Sequence, residues 1–371
     1  MTQLRLIADD LTGALDTAAQ FAAPNRAIPV FLHGRMPAAL PGAFAIDAGT
    51  REKDAAAASA LAIRHACLLA PRPGAIAFKK VDSLLRGHCG LELAATLRAV
   101  PVAHCVIAPA FPFHGRITRG GLQLALRAGS WHRVGEDVRS TLEAHGLAVR
   151  QARAGDPVPD GISLWDAESD GDLRRIADAG RALPAPVLWC GSGGLAAALV
   201  DGEAHVSGNP ELPMLGLFGS DHPATAAQLR ACGENVLRLR DGGGASAALV
   251  TARLEGSGVC VVTFDLPTGM ARFAASEFIE REIAQLTSRI PRPRSLLVAG
   301  GETLRAFCHS LGVDRLDVIG QMMPGVPVSI LHGGHWDHVR VISKSGAFGE
   351  DTLLRRLLVP DGAHHGSRAA R

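Results

Sequence analysis

The sequence predicts a two-domain α/β protein, each domain a mostly parallel sheet flanked by helices. Three observations predict it. Short apolar runs alternate with alanine-rich stretches of helical period. Several of those runs end in polar clusters, such as Asp9-Asp10 and Lys79-Lys80, as expected where an open α/β sheet meets its ligand. A Gly- and Pro-rich stretch at 201–213 interrupts the alternation and reads as a linker.

Taken in order, residues 4–8 read as a strand and 13–22 as the helix behind it. Residues 44–47 form the next strand, and 54–69 a long amphipathic helix. Strands at 75–78, 105–108, 163–166 and 186–189 follow, with helices between them. This first domain spans 1–208 and the second 209–360. The second opens on a strand at 214–218 and continues through strands at 258–264 and 295–299. It ends in 326–331 and 339–343, which read as a hairpin around Gly333 and Gly334. Residues 361–371 are small and polar and read as a flexible tail.

Composition narrows the function classes. At 371 residues the chain exceeds one ordinary core and suits two. An apolar fraction of 47% excludes wholesale disorder. No apolar run approaches the ~20 residues of a membrane span. The N-terminus shows neither a charged leader nor a cleavage site, so a cytoplasmic location is expected. The formal charge of +2 leaves no electrostatic case for nucleic acid or an anionic membrane as partner, while homo-oligomerisation stays open. Seven scattered cysteines without CxxC spacing read as reduced, mostly buried thiols. Positive charge is almost entirely arginine. The lysines are Lys53, Lys79, Lys80 and Lys344, and the last three fall inside motifs. A compact ammonium is therefore wanted there rather than a planar guanidinium.

The first domain carries three charged strand ends. Asp9 and Asp10 close the first strand, and Asp16 follows along the helix; these acids would orient hydroxyls or accept a proton. Helix capping by Asp10 or Thr12 is the competing reading. Lys79, Lys80, Asp82, Ser83 and Arg86 follow the strand at 75–78, where Lys80 and Arg86 would clamp a carboxylate or a transferred phosphoryl group. Pro112 and Gly115 shape a rigid turn that delivers Arg116, with His114 as a neighbour rather than a base. Gly191-Ser192-Gly193-Gly194 would present backbone N–H groups to an anion or serve close packing.

The second domain lacks GxxxxGK[ST] and so has no Walker-type loop. It carries instead three small-residue strand ends: Gly219-Ser220; Gly300-Gly301-Glu302-Thr303; and Lys344-Ser345-Gly346. Paired glycines let phosphates approach the backbone, and the helix start after Gly300 offers unpaired N–H donors. His332, His335, Asp337 and His338 fall in the hairpin turn, where their spacing does not converge four ligands and a solvated loop is expected.

As a set, IADDLTGALD, KKVDSLLRG, APAFPFHGR, GSGGLAAAL, GGET and SKSGAFG resemble the four-carbon acid sugar kinase family, formerly a domain of unknown function. The likeness runs from Ile7 to about Leu354 with the motifs in family order. It implies an N-terminal domain for the sugar acid, a C-terminal domain for ATP, and an active site in the interdomain cleft. It also implies ATP contacts at Ser220, Gly300, Gly301, Glu302, Thr303 and Gly346. The expected reaction is transfer from ATP, with Mg2+, to the terminal (4-) hydroxyl of a tetronate. In that reading the catalytic group is Asp9, Asp10, Lys80 and Arg86. Asp16, Arg51, Asp82, Ser83 and Arg116 would hold the acid, and Lys344 would join the ATP contacts. A non-catalytic sugar-acid or nucleotide-binding module is the alternative. A nicotinamide dehydrogenase is excluded at the first strand end, which lacks GxGxxG.

Overall fold

The computed structural model describes residues 3–358 except 201, 203, 220, 221, 267–269 and 271. Ser220 and the tail at 361–371 lie outside the described residues. The chain divides into two compact units between His205 and Val206.

The first unit runs β1 (Gln3–Ala8), α1 (Leu11–Phe21), β2 (Ile28–Phe31), β3 (Phe44–Asp47), α2 (Ala55–Ala66), β4 (Ala75–Lys80), α3 (Cys89–Ala99) and β5 (His104–Ala108). It continues with β6 (Arg116–Arg119), β7 (Leu122–Arg127), β8 (Ser130–Arg133), α4 (Val138–Ala144), β9 (Val149–Arg153), β10 (Gly161–Asp166), α5 (Asp170–Arg181), β11 (Val187–Gly191) and α6 (Gly193–Ala198). Its main sheet is parallel throughout, in the order β2-β3-β1-β4-β11-β5-β10-β9. Strands β3, β5 and β11 are buried along their whole length, as the continuous apolar runs of a sheet covered on both faces require. Helices α2, α3 and α4 pack in one layer, and α1, α6 and α5 in another. Ile7, Ile46, Ala77 and Ile107 of the strands meet Leu93, Leu97, Val138 and Leu142 of α3 and α4 in the core. Helix starts follow local chemistry: Asp10, Asp54 and Asp137 cap α1, α2 and α4, and Ser169 with Asp172 forms a capping box on α5.

The sequence reading misses β2 and β9 of the main sheet, and a separate hairpin sheet as well. β6, β7 and β8 form a separate antiparallel sheet, joined by two-residue turns at Gly120-Gly121 and Ala128-Gly129. All four turn residues have positive φ, the condition for the tight hairpin turn that matches strand twist.

The second unit contains β12 (Met214–Phe218), α7 (Pro223–Ala231), β13 (Val236–Leu239), α8 (Gly244–Ser257), β14 (Val259–Phe264), α9 (Arg272–Thr287), β15 (Ser295–Ala299) and α10 (Gly301–Leu311). β16 (Arg315–Met323), β17 (Val326–His332), β18 (Arg340–Lys344) and α11 (Leu353–Leu358) complete it. Its strand order is β13-β14-β12-β15-β18-β17-β16. The pairings from β13 to β18 are parallel, while β17 runs antiparallel to β18 and β16. The hairpin expected around Gly333 and Gly334 is therefore present. β16 adds a second one that the sequence reading leaves unassigned. No helix among the described residues is long and apolar enough to cross a membrane.

Strand alternation separates the two neighbouring lysines of β4. Lys79 points toward α3, where its Nζ meets Glu92 Oε2 at 2.5 Å, both side chains 2% exposed. Burial opposes the charge on Lys79, but Glu92 outweighs it and raises its pKa. Breaking a buried pair leaves an uncompensated ion, whereas replacing both partners with apolar groups need not. Glu92→Gln should therefore lower the unfolding free energy by about 3–5 kcal/mol. The double variant Lys79→Met/Glu92→Leu should recover most of that loss. Urea unfolding of the three proteins checks it, and equal losses in both variants would contradict it.

Candidate functional site

In the first unit, parallel register brings the strand ends level. Ala8 pairs with Asp47 and with Lys80, and Gly191 pairs with Lys80 and with Ala108. Strand order reverses between β1 and β4, since the chain leaves β1 for β2 and β3 on one side and returns as β4 on the other. Crevices open at such switch points. The loops after β1, β3, β4, β5 and β11 all emerge on this edge, and they carry Asp9 and Asp10, Arg51, Asp82 to Arg86, Arg116, and Ser192-Gly193.

Arg51 is the hub of this edge. Its Nε and Nη2 donate to Asp9 at 2.7 and 2.8 Å, and its Nη1 lies 2.6 Å from Asp10 Oδ2. Asp82 Oδ1 stands 3.9 Å away. Burial works against the Arg51 charge, but Asp9, Asp10 and Asp82 together raise its pKa well above the ordinary value. The two aspartates it bridges titrate apart. Burial, with the like charge of Asp10, pushes Asp9 up. Burial also opposes ionisation of Asp10, but Arg51, Lys80 and hydrogen bonds from Thr12 and Gly13 bring it down. Asp10 is fully engaged: Oδ1 accepts from Gly13 N at 2.9 Å, and Oδ2 accepts from Thr12 Oγ1 at 2.5 Å as well as facing Arg51. The cap expected of Asp10 and the charge cluster expected of it are both realised in one side chain.

Asp82 accepts from Arg86 Nε at 2.7 Å, from its Nη2 at 2.9 Å and from its backbone N at 3.2 Å. The Arg86 side chain remains 54% exposed, so donors beyond this fork face outward. Arg116 follows Gly115, whose φ of 65° turns the chain into β6. Burial lowers the pKa of Arg116, with Asp82 opposing and Arg86 reinforcing, so the two arginines share one neighbourhood with Asp82. Burial and then Arg116 push His114 down to about 4, which keeps its ring neutral at pH 7. Ser83 is buried, and its carbonyl accepts from Gln123 Nε2 at 2.7 Å.

Lys80 lies on the α1 side of β4, opposite to Lys79. Its Nζ donates to Val81 O at 2.9 Å and crosses the first turn of α1, so a Cβ at Gly13 would stand 3.0 Å from it. Asp16 differs from the other carboxylates. Its Oδ1 is buried and has no hydrogen-bond partner among the described residues. Burial raises its pKa to about 6, Lys80 pulling it down and Asp10 pushing it up. Gly193 makes room for it: a Cβ there would stand 2.9 Å from Asp16 Oδ2 and from the Phe111 ring. Thr17 Oγ1 and Thr50 Oγ1 are likewise buried without a partner.

Two contributors to this edge carry weaker signals in the sequence. Gln123 ties Ser83 O to Pro109 O across two loops, and Thr118 Oγ1 orients it at 2.8 Å. Its cue was the Gly120-Gly121 turn, which marks a hairpin. Glu136 Oε1 accepts from Gly90 N at 2.7 Å and closes the start of α3, a pairing across 46 residues that no local pattern announces.

In the second unit the same geometry recurs with different chemistry. Phe218 pairs with Thr263 and with Ala299, and Ala299 pairs with Lys344, so these strand ends are also level. Strand order reverses between β12 and β15. Gly300, at φ 95°, turns β15 into α10 and leaves that helix start without a side-chain cap. Such a start presents unpaired N–H groups and the positive end of the helix dipole. Glu302 lies in this first turn, and Thr303 is buried under Gly219, where a Cβ would stand 2.9 Å from Thr303 Oγ1. Lys344 is 1% exposed and donates to Ser345 O at 2.9 Å and Phe348 O at 3.0 Å. Burial lowers its pKa to about 8. Gly346 O accepts from Thr225 Oγ1 at 2.8 Å, and Gln228 Nε2 donates to the carbonyls of Phe348, Gly349 and Glu350, each at 3.0 Å. Thr225 and Gln228 thus hold the loop after β18, a role the sequence reading does not assign.

The Asp82 cluster makes a pH prediction. Burial opposes ionisation of Asp82, yet the Arg86 hydrogen bonds and the charges of Arg51, Arg86 and Lys80 hold it well below the usual carboxylate range. A depressed folded-state pKa contributes stability above the unfolded value of about 3.9 and loses it as pH falls further. Asp82→Asn should therefore be less stable than wild type at pH 7, and the gap should narrow as pH falls from about 4. Urea midpoints of both proteins across that range check it; a gap independent of pH would refute the assignment.

A family model described as a sugar-binding N-terminal domain matches residues 4–145, and one described as a nucleotide-binding C-terminal domain matches residues 211–354. A D-threonate kinase of Bordetella bronchiseptica is 29% identical over 390 residues, covering 95% of this chain and 95% of that protein. A 3-oxo-tetronate kinase of Pseudomonas fluorescens is 28% identical, covering 96% of each. A solved structure from Salmonella typhimurium LT2 shares the fold at a TM-score of 0.73 and 21% identity, covering 96% of this chain and 98% of that one. With the two domain models matched in order and near full-length likeness to sugar-acid kinases, the chain belongs to the four-carbon acid sugar kinase family.

Proposed function

We propose that this protein transfers the γ-phosphoryl group of ATP to the terminal hydroxyl of a four-carbon sugar acid of the threonate, erythronate or 3-oxo-tetronate class, acting in the cytoplasm. The observation that carries the reading is the division of chemistry between two strand-order switch points. One gathers Asp9, Asp10, Asp16 and Asp82 with Arg51, Lys80, Arg86 and Arg116, a set suited to a small polyhydroxy anion. The other offers an uncapped helix start behind Gly300 and a buried ammonium on Lys344, a set suited to phosphates. The names of the relatives, D-threonate kinase and 3-oxo-tetronate kinase, support the acceptor class.

Arg86 and Arg116 are the cations suited to the acid's carboxylate, because Arg51 already spends its donors on Asp9 and Asp10. Arg51 with that aspartate pair acts as a rigid frame. Of the three acids read from the sequence as hydroxyl-orienting or proton-accepting groups, Asp16 suits the proton-accepting role best. Asp10 has both oxygens engaged, while Asp16 keeps a buried oxygen free beside Lys80 and Gly193. Lys80 would stabilise charge on the attacking oxygen and the transferred group. In this reading ATP binds the second unit, and the backbone there supports it. Gly300 leaves no side chain in the way, and Gln228 and Thr225 hold the loop that carries Gly346. Mg2+ is expected with the nucleotide, where it neutralises phosphate charge. It binds largely through phosphates and water with few protein ligands.

The direct test is ADP release in a coupled assay with D-threonate, D-erythronate and 3-oxo-tetronates. Release dependent on both ATP and one of these acids, and absent with the neutral tetritol, is the expected result; no acid-dependent release would refute the reading. A base with a pKa of about 6 must be unprotonated to work, so kcat should decline as pH falls through about 6. Asp16→Asn should lower kcat by about 10²–10⁴ and abolish that acid limb, with little change in KM for ATP. Wild-type turnover with the limb intact would remove Asp16 from the chemistry.

A further inference from the structure

We infer that the β17–β18 connection is a binding site for a divalent transition-metal ion, held by His332, Asp337 and His338. The inference stands apart from the kinase reading, since none of these residues belongs to either crevice. The sequence suggests a solvated loop because the spacing does not converge four ligands. Folding corrects that for three of them: one ligand atom each from His332, Asp337 and His338 lies within 4.8 Å of the others. His335 stays outside the group.

The arrangement is built rather than incidental. Trp336 is fully buried in the middle of the loop and packs on Phe307 at a ring separation of 5.5 Å, anchoring the residues on either side. His338 N donates to Leu331 O at 3.0 Å, and Arg292 Nη1 donates to Asp337 O at 2.9 Å. Gly333 N donates to Asp337 Oδ1 at 2.9 Å, which aims the other carboxylate oxygen at His338, 3.3 Å from its Nε2. Two ligands of one tetrahedral ion at bond lengths of ~2.0–2.2 Å stand about 3.4 Å apart. His338 adopts φ 65°, an unfavourable backbone for a residue with a side chain, and its ring lies edge-on to that of His332 at 5.3 Å. Such strain persists where surrounding structure enforces it, and it brings the two rings together.

His332 also has the outer partner that metal-bound imidazoles use. Its Nε2 lies 2.9 Å from Asp317 Oδ2, and Asp317 is gripped by Arg315 Nε at 2.8 Å. A carboxylate on one ring nitrogen fixes the tautomer and leaves the other nitrogen for the ion. Two imidazole nitrogens and one carboxylate oxygen, with open positions for water, suit Zn2+ and its first-row neighbours rather than Ca2+ or Mg2+. The ion would clip the start of β18 to the end of β17.

The probe is Zn2+ alone, titrated calorimetrically into the chelator-stripped full-length protein. Wild type should show a site of unit stoichiometry. His338→Ala and Asp337→Asn should each weaken it at least ten-fold, while His335→Ala, in the same loop but outside the group, should leave it unchanged. Zn2+ should also raise the melting temperature of wild type and not that of His338→Ala; His338 is exposed, so this variant keeps its fold. Absence of the site in wild type, its survival in His338→Ala, or an equal loss in His335→Ala would each overturn the inference.

Discussion

Parallel strands paired in register must end level with one another, and the chemistry of this protein depends on that constraint. Ala8, Asp47, Lys80, Gly191 and Ala108 form one row because each stands in register with its neighbour across the parallel sheet. Loops separated by more than a hundred residues of chain therefore leave the sheet side by side. The second unit repeats the arrangement at Phe218, Ala299 and Lys344. In both, the reversal of strand order opens the row between adjacent loops, so that a ligand has somewhere to enter.

What distinguishes the two rows is how each treats charge. In the first, burial would be costly for so many ionised groups unless they neutralised one another. Arg51 answers most of this by binding Asp9 and Asp10 directly, and Arg86 answers for Asp82. Asp16 is left with an unpartnered oxygen, and its raised pKa reports that cost. Unsatisfied polar atoms in a buried charged cluster are expected where function holds them in place. In the second row, among the described residues, the cation Lys344 donates to carbonyls, and its lowered pKa reports the same kind of cost with the opposite sign.

Alternation within a strand explains why two neighbouring lysines have unrelated roles. Side chains at successive positions face opposite sides of the sheet. Lys79 goes to Glu92 in the core between β4 and α3, while Lys80 goes to the face where Asp10 and Asp16 stand. A run read as a single basic cluster divides into one structural and one site residue once it lies in a sheet.

The sequence by itself determined the α/β class, most strands of both sheets, the cap on α1, and the family motifs. Each of these rests on local physics: hydrophobic periodicity, capping side chains, and the turn chemistry of Gly and Pro. It left β2, β6 to β9, β13 and β16 unread, although Gly120-Gly121 and Pro324-Gly325 mark two of their turns, because half-exposed strands carry little continuous apolar pattern. Only the tertiary structure decided which charges pair. Arg51 reaches Asp9 across 42 residues, Glu136 reaches Gly90 across 46, and Gln228 reaches Phe348 across 120. It also decided that Asp16 would stand with a free oxygen and that His332 would meet His338. Such contacts depend on strand register and on which face a side chain takes, and a one-residue change in register would reverse them all.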